Sequence, residues 1–148
     1  MEACFICKKH RDAAAQSDVI YEDDYVRASL MTARAEERLA YLGYAVVETK
    51  RHAPGLGDLN AEEARAVGET MNRVSAALKE TQSAEHVYAF VQGDGVPHFH
   101  IHLVPRYAGT PPEYRHPMNL VHWPDAKRGG HEALQGIREA LQARLHGS

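Results

Sequence analysis

No run of apolar residues in this chain of 148 residues approaches the roughly 20 that a helix needs to cross a bilayer. The charge is nearly balanced, with 17 basic and 20 acidic side chains and a formal net charge of -3. It lacks the basic excess that binds nucleic acid or an anionic membrane surface. The opening stretch MEACFICKKH lacks the layout of a signal peptide. We therefore expect a cytoplasmic protein with no nucleic-acid or membrane partner.

Sequence motifs that bind phosphate or catalytic metal are also missing. The chain has no Walker-type loop and no glycine-rich dinucleotide fingerprint. It has no obvious carboxylate cluster that would hold catalytic Mg²⁺. Chemistry on a phosphate would therefore depend on histidine, of which the chain has 10 copies.

Cysteine is scarce, and both copies, Cys4 and Cys7, lie in one C-x-x-C pair. In a cytosolic chain, a pair this close is more often a metal or redox site than a structural disulfide. A thioredoxin-type pair follows a strand, whereas no strand is predicted before Cys4. The sequence therefore favours a metal site, with redox-active or inert thiols as the alternatives.

The hydrophobic pattern predicts a single α+β domain over residues 1–148, with an antiparallel sheet and two main helices. Asn60 and Glu63 form a capping-box pattern that opens an amphipathic helix ending near Thr81. A closing helix is predicted from about Glu132. The predicted strands are DVIYEDDYVRASLM (two strands around Asp23 and Asp24), LGYAVVET, EHVYAFVQ and the histidine-rich segment described next.

Three histidines occupy alternate positions in VPHFHIHLVPRY, residues 96–107. Because successive side chains of a strand point to opposite faces, His98, His100 and His102 share one face and the apolar residues between them share the other. This face could be merely polar, or all three histidines could bind one zinc ion. A single flat strand rarely converges three ligands on one ion. We therefore favour a division in which one imidazole serves a metal while its neighbour faces a pocket.

The run H-F-H-I-H-L-V, followed by Pro-Arg, resembles the His-φ-His-φ-His-φ-φ signature of the histidine triad (HIT) superfamily of nucleotidyl hydrolases and transferases. CFIC resembles the C-x-x-C of many bacterial members. GYAVVETKRH, residues 43–52, resembles their Gly-His-x-Leu-Val-x-Pro-Lys-x-His segment, with the same step from glycine to histidine. The resemblance covers roughly residues 4–106. It leaves the irregular segment and helix of 107–148 outside, and it implies a HIT-like fold.

The resemblance assigns His100 as the nucleophile, which would form a covalent nucleotidyl-histidine that water then hydrolyses. A neutral imidazole nitrogen attacks phosphorus well, provided that the other ring nitrogen keeps its proton against a fixed acceptor. His102 would donate to the oxygens of the transferred phosphate, where charge builds in the transition state. Gln92 and the amides of the turn containing Gly93 and Gly95 are further candidates for binding the substrate phosphates.

The resemblance also implies a structural zinc site with four ligands, Cys4, Cys7, His52 and His98. Two thiolates and two imidazoles suit tetrahedral Zn²⁺, and four protein ligands make a closed site. Such a site would pin the N-terminus behind the catalytic strand without touching the substrate. The alternative for His52 is a solvated loop histidine.

Three departures from the superfamily pattern bear on substrate recognition. Asp94 stands near the position where members usually carry the Gln of a Gly-Gln pair, in a shortened loop. The segment ASLMTARAEERLAYLGY lacks the usual Asp or Asn for the ribose hydroxyls. The tail PPEYRHPMNLVHWP has no counterpart, and we expect His116, His122 and Trp123 to pack the closing helix instead of lining a pocket.

The expected function is attack on the α-phosphate of a nucleoside phosphoramidate or dinucleoside polyphosphate. A purine base and a homodimer follow from the resemblance alone. Transfer to phosphate or a sugar phosphate instead of water is an alternative within the enzyme class. A zinc-stabilised nucleotide-binding protein with little turnover is an alternative from another class, and a metallohydrolase that uses three histidine ligands is a third.

Overall fold

The computed structural model describes residues 4–33 and 37–147. The ends of the predicted domain, residues 1–3 and 148, lie outside that range, as do residues 34–36 of the segment that lacks a ribose motif. The helices are α1 (Phe5–Arg11), α2 (Ala61–Gln82), α3 (Pro117–Leu120) and α4 (His131–His146). The strands are β1 (Val19–Glu22), β2 (Val26–Leu30), β3 (Ala40–Tyr41), β4 (Ala45–Thr49), β5 (His86–Phe90), β6 (His100–Arg106) and β7 (Arg128–Gly129).

Five strands form one sheet in the order β1-β2-β4-β6-β5, and every neighbouring pair is antiparallel. The short strands β3 and β7 pair separately. With helices packed on the sheet, this is the predicted α+β class. Among the described residues, no helix has the length and apolar character needed to span a membrane.

The helices α2 and α4 contact each other and the main sheet, and the core lies between them. Phe99, Ile101 and Leu103 are buried, as the alternation around the histidines predicts. The buried apolar side chains of the two helices are Val67, Val74, Ala77 and Leu78 of α2 and Leu134, Ile137, Leu141 and Leu145 of α4.

The capping box of α2 is confirmed and also fixes the loop that follows β4. The Asn60 side chain accepts from the Glu63 amide at 2.8 Å, and the Glu63 carboxylate accepts from the Asn60 amide at 2.9 Å. Glu63 is almost fully buried and also accepts from the Arg51 guanidinium at 2.7 Å. The backbone next to His52 is therefore tied to the start of α2.

Two details differ from the sequence-based prediction. The regular strand β6 begins only at His100, because the backbone of 96–99 turns into the loop after β4. There the Phe99 amide donates to the Ala53 carbonyl at 2.6 Å. The helix α1 was not predicted, since its short sequence FICKKHR has no amphipathic repeat long enough to detect.

Candidate active site and metal centre

The structure brings together the four side chains that the sequence nominates as metal ligands. Cys4 is the N-cap of α1 and Cys7 lies in its first turn, while His52 follows β4 and His98 precedes β6. Their ligand atoms all lie within 4.8 Å of one another. Residues from three separate parts of the chain thus converge on one point.

The spacing of these atoms fits a tetrahedral ion. The Sγ atom of Cys7 lies 3.4 Å from Nδ1 of His52 and 3.5 Å from Nδ1 of His98, and Sγ of Cys4 lies 3.5 Å from Nδ1 of His98. Zinc bonds of about 2.3 Å to sulfur and about 2.0 Å to nitrogen place such atoms about 3.5 Å apart across a tetrahedral angle. The donor set and its geometry therefore suit a closed metal site.

The tautomer and the neutral state of His98 favour metal coordination through Nδ1. Its Nε2–H donates to the Thr49 carbonyl oxygen at 2.6 Å, so the lone pair lies on the nitrogen that faces the two sulfurs. Burial lowers the pKa of His98, which keeps the imidazole neutral as metal coordination requires.

A buried carboxylate fixes α1 over the face of the sheet that carries the histidines. Glu48 is only 1% exposed, accepts from His10 Nε2 at 2.8 Å and pairs with Lys9. Burial acts to raise the pKa of Glu48, but the hydrogen bond from His10 and the charge of Lys9 outweigh it and hold the pKa below its usual value. The sequence gives no sign of this contact, because its partners lie about 40 residues apart.

Glu48 also belongs to a cross-strand row that ends at His100. Glu22 pairs with Arg27, Arg27 with Glu48, and Glu48 with His100 in the registers of the neighbouring strands. Directly opposed side chains in antiparallel strands lie about 5 Å apart at Cβ. Acidic and basic residues thus alternate along this row, in which the Glu48 carboxylate itself binds Lys9 and His10.

His100 is held in one tautomer by its own strand. Its Nδ1 lies 2.7 Å from the backbone carbonyl oxygen of His98. Because a carbonyl can only accept, Nδ1 carries the proton and donates it. In the neutral imidazole, Nε2 then has the free lone pair that a nucleophile needs.

His102 is packed against aromatic side chains. Its ring stacks on Phe90 with centroids 4.8 Å apart, and its Nδ1 lies 2.7 Å from the Tyr44 hydroxyl. The ring centroid of His100 is 5.0 Å away. Burial, with a contribution from the neighbouring His100, lowers the pKa of His102 to about 4, so its imidazole is neutral in the free protein at pH 7.

This shift predicts a loss of stability in mild acid. The pKa of His102 is lower in the folded than in the unfolded protein, so its contribution is fully present above about pH 6.5 and is lost as the pH falls towards 4. Between pH 7 and pH 5 we expect the wild type to lose about 2 kcal/mol more unfolding free energy than His102→Asn. Urea unfolding of both proteins at the two pH values measures this, and equal losses would contradict the assignment.

A cavity of about 380 Å³ opens beside His102. Tyr44, Phe90 and Gln92 line it on the sheet side. A second cavity of about 280 Å³ lies beside α1, with Phe5, Lys9 and Ser29 among its lining residues. Met31 and Thr32 border both cavities, so the two are neighbours along one surface.

The C-terminal segment also reaches the larger cavity. Met118 and His122 line it, contrary to the expectation that His122 packs against the closing helix. His116 caps α3 by accepting from the Met118 amide at 3.2 Å, and Trp123 stacks on Tyr114. No sequence signal indicated the contribution of Met118, because the approach of this segment to β6 depends on tertiary packing.

The residues of the shortened turn differ in their surroundings. Gln92 lines the larger cavity, whereas Asp94 and Gly95 are exposed. Gly93 has a φ of 82°, which glycine adopts without strain and other residues rarely do. The turn therefore depends on Gly93, and its contact with substrate stays a prediction.

Comparison with known proteins identifies the fold. A family model described as HIT domain matches residues 12–109. The fold is similar to that of a Hit-like protein involved in cell-cycle regulation from Bartonella henselae, with a TM-score of 0.71 and 19% identity, covering 97% of this chain and 98% of the other. No curated protein sequence matches.

Two other solved structures share the fold. A Zn-bound histidine triad family protein from Mycobacterium smegmatis has a TM-score of 0.68 and 22% identity, covering 99% of this chain and 95% of the other. The diadenosine triphosphate hydrolase of Plasmodium falciparum has a TM-score of 0.65 and 14% identity, covering 90% and 79% respectively. At these low sequence identities, the comparison with solved structures establishes a shared fold alone.

Proposed function

The chain belongs to the HIT domain family, and on that premise we propose that it is a nucleotide hydrolase or nucleotidyl transferase with His100 as its nucleophile. The substrate is a dinucleoside polyphosphate or a nucleoside phosphoramidate, attacked at the α-phosphate. A purine nucleotide is the expected substrate from the family.

One observation carries this proposal: the hydrogen bond of 2.7 Å from His100 Nδ1 to the His98 carbonyl. It fixes the neutral tautomer with its lone pair on Nε2. A histidine that serves only to bind phosphate has no need of that tautomer, since a proton on Nε2 would bind an anionic oxygen better.

The reaction then has two displacements at the same phosphorus atom. Nε2 of His100 donates its electron pair to the α-phosphorus, an N–P bond forms, and the bond from phosphorus to the leaving group breaks with its electrons on the leaving atom. Water next attacks phosphorus, the N–P electrons return to Nε2, and one water proton is released. Throughout, Nδ1–H donates to the His98 carbonyl and stabilises the positive charge of the modified ring.

His102 contributes hydrogen bonding to the phosphate. When the Tyr44 hydroxyl donates to Nδ1 of His102, the single proton of the neutral ring lies on Nε2, where it is available to a phosphate oxygen. Gln92 and the backbone amides of Gly93 and Gly95 would bind the remaining phosphates of the substrate. Such donors would stabilise the charge that grows on the phosphate oxygens in the transition state.

Zinc is the metal we propose for the cluster of Cys4, Cys7, His52 and His98, because the two sulfurs and two nitrogens match its preferred donors. The Zn-bound relative of similar fold supports this choice. Zinc would hold α1 and the loop after β4 together, and the reaction needs no step through it. The carbonyl that orients His100 belongs to His98, so the site would also steady the nucleophile.

The family also leads us to propose a homodimer. The strand β5 lies at one edge of the main sheet, a position from which a second copy could extend the sheet. Sedimentation velocity at micromolar concentration measures this, and a monomer at all concentrations would contradict the dimer.

Hydrolysis of diadenosine triphosphate in H₂¹⁸O tests the reaction itself. Attack at the α-phosphorus places one ¹⁸O atom in AMP and none in ADP, whereas attack at the β-phosphorus labels ADP. Adding inorganic phosphate tests transfer. A transferase would join the AMP half to phosphate, so each substrate molecule would give two molecules of unlabelled ADP and no AMP. A nucleotide-binding protein with little turnover would release neither product, which would overturn the enzymatic proposal.

A further inference from the structure

We propose that Asp18 makes this protein select guanine, by accepting two hydrogen bonds from the edge of a base that occupies the smaller cavity beside α1. This inference rests on the proposed function for one point, the position of the α-phosphate at His100. It narrows the expected purine to a single base. Adenine nucleotides then bind and react more weakly without being excluded.

The smaller cavity approaches the nucleophile from the side of the sheet that carries β1 and β2. Lys9 lines this cavity and pairs with Glu48 of β4, which lies opposite His100 of β6 in the register of the two strands. The cavity therefore ends about one strand away from His100. A nucleotide whose α-phosphate meets His100 can extend from there across β4 towards β2 and β1.

Asp18 lies at the end of the cavity that is far from His100. It immediately precedes β1, and the order β1-β2-β4-β6 puts three strand spacings, roughly 14 Å in all, between β1 and β6. The ribose is joined directly to the α-phosphate, so it lies over the strands between them. The base is therefore the part of the nucleotide that reaches Asp18.

The carboxylate of Asp18 has the capacity to accept hydrogen bonds from a ligand. The charged side chains among the described lining residues are Lys9 and Asp18. Lys9 pairs with Glu48, whereas Asp18 has a hydrogen bond from Ser17 and no ion pair with another described residue. Burial raises the pKa of Asp18, and the charge of Arg138 opposes that rise. Because a carboxylate has about four acceptor positions, the bond from Ser17 leaves others for a base.

Guanine has the edge that best matches such a carboxylate. Its N1–H and N2–H₂ donors lie side by side, so the two oxygens of Asp18 can accept from both, as a carboxylate does from a guanidinium. Adenine has one donor group, the N6 amine, beside the acceptor N1. With adenine, the lone pair of N1 would face a carboxylate oxygen and leave it without a partner.

The rest of the lining suits the faces of a base. Phe5 lines the cavity although it is 63% exposed, so its ring is available to stack on a ligand. Leu30 and Met31 add apolar contacts from the sheet side. The volume of about 280 Å³ lies near the lower end of the range for organic ligands, roughly 300 Å³. That space suits one base better than a whole dinucleotide.

Isothermal titration of the intact chain with GMP, IMP and AMP tests the inference. GMP is expected to bind about 10- to 100-fold more tightly than AMP, which is the discrimination that a bidentate base contact supplies. IMP is GMP without the N2 amine, so it should bind with an affinity between the two. Affinities of GMP and AMP within about twofold of each other would overturn the proposal, and so would equal affinities of GMP and IMP.

Asp18→Asn and Asp24→Asn form a matched pair of variants. Asp18→Asn replaces two acceptors by one acceptor and one donor, a pattern that fits N6 and N1 of adenine. The ratio of GMP to AMP affinity should therefore fall to about one or below. Asp24→Asn removes the same charge from an exposed turn outside the cavity lining and should keep the wild-type ratio. A preference for GMP that survives in Asp18→Asn would contradict the assignment.

The outcomes separate this inference from the proposed function, because binding of a product needs no turnover. A covalent adduct on His100 together with equal affinities for GMP and AMP would refute the base selection and leave the proposed function standing. Selective binding of GMP with no adduct from guanine or adenine substrates would refute the proposed function and keep the role of Asp18. Thermal unfolding checks that both variants are folded, and the comparison of GMP with IMP needs no variant.

Discussion

Replacing His100 by Ala is expected to lower kcat/KM for nucleotide hydrolysis by at least about 10⁴-fold, because it removes the Nε2 lone pair that attacks phosphorus and that the His98 carbonyl holds in place. Nucleotide affinity should change by less than about threefold, since Nε2 makes its bond only as the reaction proceeds. Turnover is measured by chromatographic detection of AMP, and affinity by isothermal titration at a temperature where turnover is slow.

The control for this prediction is His131→Ala, which removes an exposed histidine at the start of α4. It should keep wild-type turnover. His100→Ala should also keep its bound metal, because Nδ1 of His100 faces the His98 carbonyl instead of the two sulfurs. Loss of metal from this variant would favour the metallohydrolase alternative, in which the three histidines share one ion.

Replacing Cys7 by Ala is expected to remove the metal and about 3–5 kcal/mol of unfolding free energy. Cys7 supplies one ligand and lies 3.4 Å from Nδ1 of His52 and 3.5 Å from Nδ1 of His98, so three ligands would be left without a closed site. The magnitude corresponds to a free ion concentration roughly 150 to 5,000 times the dissociation constant, with the ion bound to the folded protein alone. Metal content is measured by mass spectrometry and stability by urea unfolding.

Lys8→Ala is the matched control, since Lys8 directly follows Cys7 in the sequence and is exposed. It should keep one metal per chain and wild-type stability. A chelator should lower the stability of the wild type and leave that of Cys7→Ala unchanged. Equal metal content in Cys7→Ala and wild type would contradict the proposed ligand set.

The sequence predicted those parts of the molecule that depend on local pattern. Alternation along FHIHL placed the histidines on one face and Phe99, Ile101 and Leu103 in the core. The Asn60 and Glu63 pair marked the start of α2 to the residue. Cys4, Cys7, His52 and His98 were nominated through a family resemblance and lie together in the structure.

The parts that were not predicted depend on contacts between distant segments. Glu48 sits in an apolar strand sequence, and only the position of α1 explains how Lys9 and His10 stabilise a buried carboxylate there. Met118 belongs to a four-residue helix in a proline-rich segment, too short for any periodic signal. The cavity it lines exists because that segment approaches β6, which tertiary packing alone decides.

The position of His102 illustrates the same limit for chemistry. Its place in the triad follows from spacing, whereas its neutral state follows from burial and the nearby His100. Without Phe90 and Tyr44 around it, a histidine has a pKa near 6.5 and is partly protonated at neutral pH. The choice between a hydrogen-bond donor and a general acid therefore needed the structure.

The central claim is that His100 becomes covalently nucleotidylated, and intact mass spectrometry of the protein tests it most directly. The protein is mixed briefly with diadenosine triphosphate, quenched at mildly alkaline pH and weighed beside His100→Ala. The account predicts a wild-type species heavier by one AMP residue and no such species in the variant. Release of AMP by wild-type protein with no adduct at any mixing time, or an equal adduct in His100→Ala, would contradict it.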